Sequence, residues 1–141
     1  MKTDKLLQNI YKGTTMAVDS ITNLLEYVDN EEMIDLLLNE QEKYYKVKRD
    51  VKTQLENMGV NELEELRTAR AMAKYSMKIH MAFDRTKEKV AQMLYRGAEM
   101  GLEELAKEEN ELVRNGEEVP AIAKEYRNML VYNRKELQKY L

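Results

Sequence analysis

Hydrophobic and polar positions alternate with helical spacing along almost the whole chain. Leu6, Ile10, Gly13, Ala17, Ile21, Leu24 and Val28 fall three or four residues apart, so segment 3–28 presents one apolar or small face. Thr3 suits its N-cap. Asp29-Asn30 stops it, and Asp29 with Glu32 has the form of a capping-box restart. Segment 31–57 repeats the pattern with Met33, Leu37, Tyr44, Val47, Val51 and Leu55, and Gly59 is a natural residue just past a helix end. Asn61 followed by Glu64 opens a third helix in the same way. This helix carries Leu63, Leu66, Ala69, Ala73, Met77 and Met81 on one face, with Met72, Tyr75, Ile79 and Phe83 beside it. Asp84 either caps a new helix or lies inside one that runs straight on, because no Gly or Pro occurs between 60 and 96. Segment 86–113 continues with Val90, Leu94, Gly97, Gly101, Leu105 and Leu112. Asn115-Gly116 is the clearest turn. Pro120 is tolerated only in the first turn of the last helix, which runs through Ile122, Tyr126, Met129, Leu130, Leu137 and Tyr140.

With 5 Gly and 1 Pro in 141 residues, collagen-like, Pro-rich and all-β readings are excluded. The length suits a single all-α domain, 1–141. Within it the sequence repeats at an offset of 84. Gln8, Ile10, Tyr11, Lys12, Gly13, Met16, Ala17, Val18 and Asp19 correspond to Gln92, Leu94, Tyr95, Arg96, Gly97, Met100, Gly101, Leu102 and Glu103. The following helices align near an offset of 86, pairing Met33 with Val119, Leu37 with Ala123, Val51 with Leu137 and Leu55 with Leu141. Amphipathicity alone does not demand a Gly and a Tyr at fixed spacing.

The repeat predicts two helical hairpins, 3–58 and 86–141, joined by a crossover helix over 61–83. That crossover would span roughly 34 Å against ~39 Å for helix 3–28, at 1.5 Å per residue. A single helix from 62 to 113 would reach ~78 Å, far beyond its partners. The lengths therefore favour a crossover antiparallel to helix 31–57 with a break near Asp84. Hairpin, crossover and hairpin together resemble the ferritin-like superfamily. The string of Tyr, a basic residue, Gly, two further residues and Met, seen at Tyr11–Met16 and Tyr95–Met100, is similar to small bacterial ferritin-like proteins of unknown function. The resemblance implies a four-helix bundle made of two repeated hairpins.

The chemistry that the superfamily carries is harder to find. Its di-iron members use a Glu from each of two helices and a Glu-x-x-His from each of the other two. No Glu-x-x-His occurs here, and the only His, His80, lies in the crossover. A lone His is usually a surface or half-buried side chain. Asp19 and Glu103 are equivalent acids of the repeat, and with Glu40 they form the candidate all-carboxylate set for a hard metal. The alternative leaves all three as solvated or capping charges. Ser20 and Ser76 have no triad spacing, and the glycines form no phosphate loop. No cofactor is implied. The balance of 23 basic against 26 acidic residues gives no basic face for nucleic acid. The absence of Cys removes disulfides and thiolate chemistry and fits a reducing cytoplasm. No segment has the apolar length of a signal-peptide core or a membrane span.

Two features remain. Gly13 and Gly97 sit inside helical patterns at a cost of about 1 kcal/mol each relative to Ala, with Ala17 and Gly101 four residues on. Small residues at this spacing predict a close crossing of the two repeat helices. The competing reading is a hollow that holds a ligand or the rings of Tyr11 and Tyr95. Ten Met and nine Tyr suit either an irregular core or an adaptable surface. Met72, Tyr75, Met77 and Met81 form the candidate interaction surface. The reading is a non-catalytic structural or protein-interaction role as a homodimer, with room for a further protein partner. The alternative is a divergent metal-binding or redox protein that uses carboxylates alone.

Overall fold

The computed structural model describes residues 2–61, 63 and 65–141. Among these the chain forms five helices and no strand: α1 (Thr3–Leu25), α2 (Glu31–Asn57), α3 (Arg67–Phe83), α4 (Lys87–Arg114) and α5 (Ala121–Gln138). The helix ends follow from local chemistry. Lys2 rather than Thr3 is the N-cap of α1, and it makes no side-chain cap bond. Asn30 rather than Asp29 caps α2, its side-chain oxygen accepting the Met33 N–H at 3.0 Å. At the far end Gly59 takes φ +85°, which lets its N–H reach the Glu56 carbonyl and the Val60 N–H reach the Leu55 carbonyl. Asn115-Gly116 closes α4 with the same pair of bonds, the Gly116 N–H to Val113 and the Glu117 N–H to Leu112. A side-chain N-cap bond such as that of Asn30 contributes about 1 kcal/mol. Asn30→Ala should therefore cost about that much in a urea melt, while Asp29→Ala should be nearly neutral.

The crossover differs from its expected span. Helix α3 starts at Arg67, six residues later than 61, and Leu66 before it stands in the left-handed region at φ 56°. Asn61 does not open a helix, and its capping partner Glu64 lies outside the described residues. After Phe83 the chain breaks. Asp84 is extended at φ −152°, its carboxylate accepts the Thr86 N–H at 3.0 Å, and the Thr86 hydroxyl accepts the Lys89 N–H at 3.2 Å to start α4.

Side-chain pairs fix the directions. The Asn9 amide donates to Glu108 and the Thr3 hydroxyl to Glu117, so α1 and α4 run antiparallel. Lys43 lies 3.8 Å over the Tyr132 ring and Lys46 pairs with Glu125 at 2.9 Å, so α2 and α5 do too. Gln41 of α2 bonds the Val18 carbonyl and Thr22 hydroxyl of α1, and Arg127 of α5 pairs with Glu109 of α4. Helix α3 packs on α1 rather than on α2. Arg70 bonds Asp19 at 2.9 Å and Arg85 lies 5.5 Å over the Tyr27 ring, which sets α3 along the second half of α1 and in the same sense. The core forms where these faces meet. Leu6, Ile21 and Leu24 of α1, Met33, Leu37 and Leu55 of α2, Met81 of α3, Leu112 of α4, and Leu130 and Leu137 of α5 are fully buried. Removing each from water stabilises the bundle by roughly 1.5–3 kcal/mol.

Candidate functional site

Three features could carry function: a groove between α1 and α4, a set of polar groups buried between α2 and α5, and the outer face of α3. The groove has a volume of about 720 Å³. Ile10, Gly13, Met16 and Ala17 line it from α1, and Leu94, Gly97, Gly101 and Leu105 from α4. Leu130 and the rings of Tyr44 and Tyr126 line it from α5 and α2, while Leu66, Ala69 and Met77 close one side from the crossover.

This geometry corrects the expected helix crossing at the glycines. A Cβ on Gly97 would meet nothing within 4 Å. On Gly13 it would lie 2.9 Å from the Tyr126 hydroxyl, and on Gly101 3.3 Å from Leu130 Cδ1. Gly13 and Gly101 thus face α5 side chains and Gly97 faces open space, so the glycines do not meet each other. The rings at the hollow are Tyr44 and Tyr126 rather than Tyr11 and Tyr95. Acids gather along α4 beside it. Burial raises the Glu108 carboxyl above its usual range; the Asn9 bond opposes this, and the charges of Glu104 and Glu111 add to it. Burial also pushes the Tyr126 hydroxyl up, helped by Tyr44, Glu104 and Glu108.

The buried polar set centres on Glu40, which is 2% exposed and whose Oε1 has no hydrogen-bond partner. Burial pushes its carboxyl up to about 8; Lys43 opposes the shift and Glu136 adds to it. One turn on, burial raises the Tyr44 hydroxyl, the Glu40 charge raises it further, and the Asn133 amide opposes. Asn133 is 1% exposed, and neither of its amide atoms has a partner at hydrogen-bonding geometry. Thr14 and Thr15, also buried, are satisfied locally, since both hydroxyls donate to the Tyr11 carbonyl at 2.9 Å.

The candidate metal ligands are not brought together. Asp19 is held by Arg70, and exposed Glu103 faces Lys107 at 3.4 Å. Glu40 lies inside on another helix. Among the described residues no group of three or more His, Asp or Glu is placed to hold a metal ion. His80 is exposed on α3.

The interaction surface is also redrawn. Met77 and Met81 are buried, because with Ala73 they form the four-residue stripe that packs inward. Met72 and Tyr75 are open, at 67% and 68% exposure, and Ile79 and Phe83 join them, Phe83 at 88%. At 100° per residue these four fall on the side of α3 opposite Met77, so helical phase would have separated the two stripes. Asn133 left no such signal, since an Asn on an amphipathic helix looks like a solvated residue. No helix among the described residues is long and apolar enough to cross a membrane. No family model, curated protein or solved structure matches the chain.

Proposed function

We propose that the chain is a ferritin-like bundle with a non-catalytic structural role, acting through protein–protein contact as a homodimer in the cytoplasm. The fold part draws support from antiparallel neighbours in the order α1, α2, α5, α4 with one long crossover, the plan of ferritin-like bundles. It draws further support from the 84-residue repeat, whose two copies fall on α1 and α4. The metal-binding or redox alternative loses support because Asp19 and Glu103 each have a cationic partner and stand apart from Glu40.

The observation that carries the functional reading is the outer face of α3. Met72, Tyr75, Ile79 and Phe83 form an apolar stripe on a helix whose opposite stripe already packs on the bundle. Contiguous exposed apolar surface of this kind marks an interaction site. Light scattering at about 10 µM should give a dimer, and Phe83→Asp, which removes no core contact, should give a folded monomer with unchanged helical circular dichroism. A monomeric wild-type chain would count against the reading. Stoichiometric iron or manganese in the purified protein would overturn its non-catalytic part.

A further inference from the structure

The outer face of α3 and the α1–α4 groove complement each other in shape and in charge. Met72 to Phe83 covers about 17 Å of helix, and its large side chains stand out as a ridge. The groove is hollow where it should be filled: Gly97 is exposed, has nothing near its Cβ position, and is followed by exposed Met100 and by Gly101. Grooves floored by small residues admit large side chains from a second helix.

The charges match as well. Helix α3 contains no acid, and its Lys74 and Lys78 are exposed. Across the groove α4 contributes the carboxylates of Glu104 and Glu108 to the lining. Within one chain these groups do not meet. Ala69 marks the flank of α3 that faces the groove, and Lys74 and Lys78 fall about 140–180° around the helix from it. A twofold axis parallel to the helices exchanges left and right, so it turns the lysine flank of one copy toward α4 of the other. The same operation sets each ridge over the other copy's groove, and the interface closes on itself.

We propose that the α3 ridge of one copy docks in the α1–α4 groove of a second copy, with Lys74 and Lys78 toward the partner's acidic α4 face. This rests on the homodimer reading and assigns its surface. An antiparallel pairing of α3 with α3 would instead set the two lysine flanks side by side and leave the groove empty.

The chain has no Cys, so single cysteines report cleanly. Tyr75→Cys and Gly97→Cys chains, one of them tagged, are mixed and bridged with a short bismaleimide; light scattering is run in parallel. The expected result is a covalent heterodimer in the mixture and little product from either chain alone. Lys74→Glu with Lys78→Glu should weaken dimerisation at least tenfold, and mixing that variant with Glu104→Lys should recover part of the association. Cross-linking of Tyr75→Cys to itself would overturn the proposal in favour of α3–α3 packing. A dimer without any Tyr75–Gly97 product would overturn the docking and keep the homodimer; a monomer throughout would overturn both.

Discussion

Glu40→Gln is expected to stabilise the protein at pH 9 and to remove most of a decline that wild type shows between about pH 4.5 and 8. The Glu40 carboxyl is raised from an ordinary 4.5 to about 8, burial being the main cause. Between those values the folded state holds a proton that the unfolded state has released. Stability then falls as pH rises, because the state that binds more protons loses ground. The contribution is complete below pH 4.5, is lost progressively through pH 8, and changes little beyond. Each tenfold difference in proton affinity between the folded and unfolded chain is worth about 1.4 kcal/mol, so the whole decline is a few kcal/mol. Glutamine keeps the shape and stays neutral, so it has no proton to lose. At pH 4.5 the two proteins should agree within about 1 kcal/mol, since a neutral carboxyl and an amide make hydrogen bonds of similar worth. Urea melts at pH 5, 7 and 9 test this: parallel curves for wild type and Glu40→Gln would show that Glu40 ionises freely inside the bundle.

Glu40 also shows where sequence reasoning runs out. Apolar spacing placed Met33, Leu37, Val47, Val51 and Leu55 inward, and all five are buried, because helical phase is a local property. Glu40 falls one turn after Leu37 on that same face, yet its residue type suggested solvent or a metal. What decides its burial is α5, whose Asn133 and Glu136 come from nearly a hundred residues away. Helix ends were legible to within a residue where one cap competes only with its neighbour, as at Asn30 and Gly59. The start of α3 was not, because Asn61 has the composition of a cap but the helix begins only after left-handed Leu66. The glycine pair was legible as small residues on one face. What stands opposite them depends on the reach of Tyr126 from α5, which no spacing within α1 or α4 contains.

That difference gives Gly13 and Gly97 opposite responses to the same substitution, although the repeat makes them equivalent in sequence. Both lie inside helices, so a side chain returns up to about 1 kcal/mol of helix propensity. Within one chain nothing opposes the gain at Gly97, since its Cβ position is open. In the monomeric Phe83→Asp background, where no partner ridge covers the groove, Gly97→Ala should therefore stabilise by roughly 0.5–1 kcal/mol, and Gly97→Leu should melt at or above its parent. At Gly13 the new Cβ would stand 2.9 Å from the Tyr126 hydroxyl. That oxygen sits at the end of a rigid ring which is itself buried to 6% exposure, so it cannot swing aside as a Lys or Met tip would. Overpacking of this kind typically costs 1–3 kcal/mol. Gly13→Ala should come out between neutral and about 2 kcal/mol destabilised, and Gly13→Leu should lose roughly 2–3 kcal/mol. Tyr126→Phe removes the obstructing oxygen. It should recover most of the loss in Gly13→Ala, where only one atom clashes, and little of it in Gly13→Leu. A Gly13→Leu variant as stable as Gly97→Leu in thermal melts of the Phe83→Asp background would show that Tyr126 does not fill the space over Gly13.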